Sequence, residues 1–429
     1  MSVNTSKDLR NLFVYQVYVR NYSKEGTFNA LKNDLLRIKD LGVDIIYLLP
    51  IHPIGKKNRK GSLGSPYSIL DYYEINQELG TKEDFKALID EIHHLGMKVM
   101  MDIVFNHTAF DSVLMKEHPE FFFKRNGEFA NKVGDWWDII DLDFKQSKDL
   151  WFELIKVLLY WTDFGIDAYR FDVASLLPLD FLYEMKKAVL EKNPETIFLS
   201  ESVHGGFCKH LRDKGFQCLS EGEIYQVFDL AYDYDLAPYL EAYLKGKLPF
   251  KRYLEELIKQ EEVYPENYIK LRNLENHDFG RFSELVDNDI DKIKQWMSLN
   301  FFSRGATMIY NGQERLDPHL PSLFDKDEVN WQGQDISKLI KKLARLTNNK
   351  ITSHGFYQID LSIDKDVYIG WYHYGNQELI GIFNVGLEKG RIKVPLENGV
   401  YGNLINGKDV HVSNKHIKLS TEPIIISIN

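Results

Sequence analysis

Only two cysteines, Cys208 and Cys218, occur in 429 residues. A disulfide framework is therefore excluded, and cysteine this sparse reads as a reduced, intracellular protein. No uncharged apolar run approaches the roughly 18 residues that a membrane-spanning helix requires, so no membrane partner is expected. Residues 1–8 are polar and carry no apolar signal core, from which a cytoplasmic location is expected. An excess of basic residues is missing too. Net charge is -10 with both signs interspersed, which argues against a nucleic-acid partner. The short basic run Lys56-Lys57-Asn58-Arg59-Lys60 reads as an exposed loop. The chain has no HExxH motif and no clustered Cys/His spacing, which argues against a transition-metal centre. Gly55, Gly61 and Gly64 do not follow a strand in a phosphate-binding pattern and read as turn residues. No cofactor is expected.

What the chain does have is a regular alternation of strand-like and helix-like segments. Strands are expected at 13–19, 44–49, 99–105, within 165–173, at 197–201, 225–228, 271–274 and 307–310. Amphipathic helices are expected between them, at 27–41, 82–95, 148–164 and 179–191, and a last one at 335–347. This pattern predicts an α/β fold, a (β/α)8 TIM barrel, and the length exceeds the roughly 250 residues of a bare barrel. Two departures locate the excess. The aromatic, polar segment after His107 contains Phe121-Phe122-Phe123 and Trp136-Trp137 and is long for a βα loop. After about residue 353 the helical pattern gives way to strand-like stretches at 367–374, 379–385, 391–395 and 417–428. The expected organisation is barrel at 1–107, an inserted subdomain at 108–147, barrel again at 148–352, and a C-terminal, sandwich-like antiparallel β-domain at 353–429. The last of these reads as a stabilising module.

Chemistry gathers at the strand ends. In Gly165-Ile166-Asp167-Ala168-Tyr169-Arg170-Phe171-Asp172-Val173, Arg170 and Asp172 are two residues apart, so the period-2 rule turns both to one side. A buried cation there would hold its neighbouring carboxylate ionised and oriented, as a carboxylate nucleophile requires. The third strand ends Asp102-Ile103-Val104-Phe105-Asn106-His107, the fifth ends at Glu201, and the seventh runs into Asn276-His277-Asp278. A barrel is the fold that gathers such ends, because it carries its active groups at the carboxyl ends of its strands.

These stretches, in this order, resemble the α-amylase family of glycoside hydrolases in the broad sense, which includes oligo-α-glucosidases and α-glucan transferases. Asp102 to His107, Gly165 to Asp172, Glu201 and Asn276-His277-Asp278 match its four motifs. Ser65-Pro66-Tyr67-Ser68 resembles its tyrosine-bearing loop, and Ile309-Tyr310-Asn311-Gly312-Gln313-Glu314 its eighth-strand signature. The resemblance spans roughly residues 11–350. It implies a retaining mechanism with Asp172 as nucleophile, Glu201 as general acid/base and Asp278 as the carboxylate that stabilises the transition state. It further implies that His107 and His277 donate to the sugar, that Tyr67 forms a platform under it, and that Asp102 braces the pocket floor beside Arg170. A retaining enzyme needs two carboxyl groups flanking the scissile bond, and Asp172 beside Arg170 is expected to stay ionised while Glu201 is expected to carry the proton. Trp136 and Trp137 read equally as sugar platforms or as subdomain core.

The chain also departs from the family pattern. Where calcium-dependent members have Lys-His three and four residues after the nucleophile, it has Ser175 and Leu176. The interdomain calcium site is therefore expected to be lost, although Asn106 remains. Glu201 is followed by Ser202-Val203-His204; His204 either lines an acceptor subsite or caps the next helix. The expected substrate is an oligosaccharide of α-glucan type, with hydrolysis of α-1,4 bonds as the first reading. Transfer to a sugar acceptor is the second, and a catalytically silent sugar-binding barrel the third.

Overall fold

The computed structural model describes residues 4–428. Eight parallel strands close into a barrel: β1 (Phe13–Val17), β2 (Ile45–Leu48), β3 (Lys98–Ile103), β4 (Ala168–Phe171), β5 (Ile197–Ser200), β6 (Leu230–Tyr232), β7 (Lys270–Arg272) and β8 (Ala306–Tyr310), with β8 pairing back onto β1. Side chains alternate about the barrel wall. Val14, Tyr47, Met100, Ala168, Leu199, Leu271 and Met308 fill the interior, while their neighbours pack outward against the helices. The barrel is thus a filled core with its polar groups at one end.

Local signals explain the helices that carry the strands back. Helix α1 (Phe28–Asp40) starts at Thr27, whose hydroxyl accepts the Ala30 N–H. Helix α2 (Lys82–His94) opens with a reciprocal capping box between Thr81 and Asp84 and buries Phe85, Leu88, Ile89 and Ile92, a single stripe at helical spacing. Helix α3 (Lys148–Phe164) stops at Gly165, whose φ of 118° is open to glycine at little cost. That stop delivers the chain into β4 and the Arg170–Asp172 pair. Helix α4 (Leu179–Lys192) follows β4, α5 (Gly205–Asp213) follows β5, α6 (Phe250–Val263) follows β6, α7 (Ile290–Phe302) follows β7 and α8 (Ser337–Thr347) follows β8.

The sixth strand differs from the expectation. It is Leu230–Tyr232, and residues 225–228 form the turn that ends the short helix Glu221–Ile224. Tyr225, Val227 and Phe228 are buried there, and so short a mostly apolar stretch, interrupted by Gln226, fits a strand or a buried turn equally well by pattern alone. At the C-terminus, residues 417–428 are two strands, His416–Lys418 and Ile424–Ile428, in different sheets. The strands at Phe356–Ile359, Gly399–Gly402 and Asp409–Val412 are only four residues each, and Asp409–Val412 alternates exposed and buried positions over too short a stretch to stand out from a loop.

The segment after β3 projects from the barrel's carboxyl end. Its base is an antiparallel pair, His107–Ala109 with Ile139–Asp141, and its tip a small hairpin, Lys124–Arg125 with Glu128–Phe129. The C-terminal region is an antiparallel sheet in the order Phe356–Ile359, Tyr368–Tyr374, Gln377–Phe383, Ile424–Ile428. It packs on α7 through Phe302, whose ring meets those of Tyr368, Tyr372 and Phe383. Gly381 is required at this contact, because a Cβ there would stand 2.9 Å from the Phe302 ring.

Candidate active site

Strand register builds the centre of the cleft. Asp102 on β3 lies opposite Arg170 on β4, and both side chains are fully buried. Arg170 Nη1 donates to Asp102 Oδ1 at 2.7 Å and to Asp172 Oδ1 at 3.0 Å. Its Nη2 lies 2.9 Å from Glu201 Oε2, close enough to pair in charge but not aligned as a hydrogen bond. One guanidinium therefore serves three carboxylates from three strands, a role suited to arginine's fixed fork.

Each of the two central carboxylates keeps one oxygen in reserve. Asp172 Oδ1 is held by Arg170, while Oδ2 faces His107 Nε2 at 3.9 Å. Glu201 Oε2 accepts the Val173 N–H at 2.7 Å and is also the oxygen nearest Arg170, so both contacts fall on one oxygen. Val173 makes its contact with φ 37° and ψ 45°. A β-branched residue rarely adopts the left-handed region, and strain of this kind persists where the surroundings enforce it.

Burial and the adjacent Glu201 push the Asp172 carboxyl well above the ordinary carboxylate range, with Arg170 pulling the other way. The expectation that Arg170 keeps Asp172 ionised is thus incomplete, because desolvation by burial is the larger effect. Asp102 is raised to about 6 by burial, against the opposing Arg170 and the Tyr47 hydrogen bond. The histidines move the opposite way. His107 falls to about 3 through burial and then the charge of Lys132, and His277 to about 3 through burial and then Arg170. Both rings are neutral at physiological pH.

The seventh strand brings His277 and Asp278 to the same cleft. His277 Nε2 lies 2.6 Å from Tyr67 Oη and 3.3 Å from Asp278 Oδ2. The Tyr67 and His277 rings stack at 5.5 Å and 17°, and Tyr67 donates to Asp102 Oδ2 at 3.1 Å. Asp278 is the open member of the set, its side chain 41% exposed. Tyr234 donates to its Oδ2 at 3.2 Å and itself receives Asn276 Nδ2 at 3.0 Å.

The remaining candidates separate. Trp136 is half-buried in the inserted segment with its ring 5.7 Å from that of His107. Trp137 is 62% exposed and lies under Lys60 Nζ at 4.7 Å. His204 is exposed and caps α5, its Nδ1 accepting the Phe207 N–H at 3.2 Å. Ser175 accepts the Val203 N–H, and Leu176 packs with Cys208, Leu211 and Cys218. Around Asn106 the chain supplies its own cation. Asn106 Nδ2 donates to buried Asp141, and Lys132 Nζ donates to the Leu142 carbonyl 3.8 Å from the same carboxylate. An ammonium already compensating that carboxylate does not fit a divalent-ion site. Among the described residues no group of three or more His, Cys, Asp or Glu side chains is arranged to hold a metal, and no helix is long and apolar enough to cross a membrane.

Gln16, Tyr47, Tyr232, Tyr234 and Lys132 belong to this site or its immediate support but were not read from the sequence. The first three sit inside strands whose neighbours are apolar, where a lone polar residue looks like ordinary core.

Comparison with known proteins agrees with this geometry. Residues 16–345 match the profile described as alpha amylase, catalytic domain, and residues 358–426 that of the bacterial alpha amylase C-terminal domain. The crystal structure of an alpha-amylase from Lactobacillus plantarum is 43% identical, covers 99% of this chain and 100% of its own, and superposes with a TM-score of 0.96. A noncanonic maltogenic alpha-amylase from Thermotoga neapolitana is 33% identical over 98% of this chain and 99% of its own, with a TM-score of 0.86. Among curated proteins, an alpha-1,4-glucan:maltose-1-phosphate maltosyltransferase of Picrophilus torridus is 30% identical over 249 residues, which is 51% of this chain and 39% of the relative. The match thus spans well under half of that curated relative's length.

Proposed function

The chain belongs to the alpha-amylase family of glycosidase-type enzymes, and from that premise we propose that it cleaves α-1,4-glucosidic bonds in maltodextrin-like oligosaccharides by double displacement with retention. The observation that carries this reading is the shared guanidinium of Arg170, which leaves Asp172 and Glu201 each with one pinned and one free oxygen.

In the first step Asp172 Oδ2 attacks the anomeric carbon while Glu201 Oε1 gives its proton to the departing glycosidic oxygen. The bond to the leaving sugar breaks as the glycosyl–Asp172 ester forms. Attack requires Asp172 ionised. The reading assigns the proton to Glu201 Oε1, the oxygen that neither Arg170 nor the Val173 amide contacts. In the second step Glu201 takes a proton from water, whose oxygen displaces Asp172 from the opposite face and restores the starting configuration. Asp278 opposes the positive charge of the oxocarbenium-like transition state and holds sugar hydroxyls. His107 and His277 are neutral donors to those hydroxyls, and Tyr67 is the aromatic floor, with Trp136 as a further wall.

Transfer to a sugar hydroxyl is the second reading. It uses the same ester, and the maltosyltransferases among the relatives favour keeping it. Incubation with maltotetraose, with products separated by length, tests both. Products no longer than maltotriose support hydrolysis, and products longer than maltotetraose support transfer. No turnover of maltotetraose or of a mixed α-glucoside panel, under conditions where the protein is folded, overturns the proposal.

A further inference from the structure

We propose that Gln16 is a positioning residue that sets the tautomer of His277: its side-chain amide donates to Nδ1 and so keeps the ring proton on Nε2, the nitrogen that meets Tyr67 and stands beside Asp278. The inference deepens the reading of the cleft as an α-glucosidic site and rests on it for the ligand.

Gln16 lies near the carboxyl end of β1, in register with Tyr47 on β2 and Tyr310 on β8. It shares the inward face with Val14 and is fully buried. Its Nε2 stands 3.1 Å from His277 Nδ1 and 3.4 Å from Tyr232 Oη, while its Oε1 has no partner. A neutral imidazole has one donor and one acceptor nitrogen, so the group that meets one nitrogen decides the state of the other. Burial keeps this ring neutral.

The direction of the amide follows from where its hydrogen bonds end. One chain runs from Gln16 to His277, from His277 Nε2–H to Tyr67, and from the Tyr67 hydroxyl to Asp102 Oδ2. A second runs from Gln16 to Tyr232, on to Tyr47, and from Tyr47 to the same Asp102 Oδ2 at 2.7 Å. An ionised carboxylate only accepts, so both chains must run towards Asp102. Reversing the amide would make His277 Nε2 an acceptor, and the Tyr67 hydroxyl would then be divided between that nitrogen and Asp102. The reversed ring would also turn a lone pair towards Asp278 Oδ2, 3.3 Å away.

His107 is treated in the same way from another strand. Asn106 Nδ2 lies 3.1 Å from His107 Nδ1, and Asn106 Oδ1, like Gln16 Oε1, is buried without a partner. Both amides turn their donors to a histidine and leave a carbonyl unpaired. The common result is two neutral rings with the proton on Nε2, which meets the Tyr67 hydroxyl on His277 and stands 3.9 Å from Asp172 Oδ2 on His107.

Long-range 1H–15N correlation spectra of protein labelled at histidine, assigned with His277→Gln, read the tautomer directly. The expected result is a bare Nδ1 and a protonated Nε2 on His277 between pH 7 and 8, where Asp102 is ionised. In Gln16→Glu, whose carboxylate attracts a proton, Nδ1 becomes protonated, and kcat on maltotetraose falls about 100-fold, the loss typical of one misdirected transition-state donor, with KM moving much less. A His277 protonated on Nδ1 in the unaltered protein overturns the assignment, and so does a Gln16→Glu spectrum with unchanged His277 nitrogens. If Gln16→Glu does not fold, the spectrum of the unaltered protein decides alone. Absence of turnover together with the expected tautomer would count against the glucosidic reading and leave the Gln16 assignment standing.

Discussion

Asp102 and Asp172 share a single guanidinium nitrogen, Arg170 Nη1, at 2.7 and 3.0 Å. The pocket floor and the attacking carboxylate are therefore positioned by one rigid group, and a shift of that group moves both. Its other end reaches Glu201, so the spacing of acid and nucleophile depends on it as well.

Arg170→Lys keeps the charge but not the fork, since an ammonium cannot span all three carboxylates. The expected loss in kcat is at least about 100-fold. Arg170→Met removes the charge and leaves buried carboxylates uncompensated, at a cost of about 3–5 kcal/mol. Steady-state kinetics and urea unfolding measure the two effects separately.

The acid limb follows from Asp172, which must be ionised and is pushed well above the ordinary carboxylate range, and from Asp102, whose carboxyl is raised to about 6. Protonation of Asp102 removes the charge that Tyr47, Tyr67 and Arg170 are arranged around and weakens those contacts, so kcat/KM is expected to fall as pH drops through about 6. The histidines, at about 3, do not titrate in that window. Tyr47→Phe removes a hydrogen bond that favours the ionised form, and the acid limb should move to higher pH. For stability the sign is fixed by a folded pKa above the unfolded one: Asp102 favours folding at low pH, and that contribution is lost as pH rises through about 6. Asp102→Asn should therefore look progressively less harmful in unfolding experiments from pH 4.5 to 7.5. A constant difference would contradict the assignment.

Val173 is strained by its left-handed backbone at φ 37°, at roughly 1–2 kcal/mol. Val173→Gly removes that strain but gives up backbone entropy and side-chain packing of similar size. The expected change in unfolding free energy is within about 1 kcal/mol. Because the Val173 N–H remains to hold Glu201, kcat should change by less than about tenfold.

Trp136 and Trp137 are neighbours in sequence but not in role. Trp136 stands by His107 while Trp137 is open to solvent beside Lys60. Loss of one aromatic sugar contact is worth about 1 kcal/mol, so Trp136→Ala should raise KM for maltotetraose several-fold. Trp137→Ala should leave it nearly unchanged.

Much of this was legible in the chain because barrel chemistry is written at strand ends. Asp102, Arg170, Asp172 and Glu201 lie at or near the ends of apolar runs, and the period-2 rule pairs Arg170 with Asp172 from their spacing alone. His277–Asp278, by contrast, follow the polar stretch Arg272-Asn273-Leu274-Glu275-Asn276 and are legible through the family motif. Gln16 was not legible for the same physical reason. Its partner is 261 residues away, and nothing local distinguishes it from a polar residue tolerated in a strand. Lys132 joins Asp141 only through the fold of the inserted segment. His204 offered two readings, and the turn geometry that makes it a helix cap is visible only in its contact with Phe207. The sixth strand was misplaced because residues 225–228 are as apolar as a strand, and burial of a turn leaves the same pattern.

The central claim is that Asp172 forms a covalent glycosyl ester, so that both displacements together retain configuration. An NMR time course on maltotetraose, recorded before mutarotation equilibrates the products and repeated with Asp172→Asn, tests it most directly. The account predicts newly formed reducing ends that are α-anomeric first, and no product from the variant. Products that are β-anomeric first would mean a single inverting displacement and would contradict it.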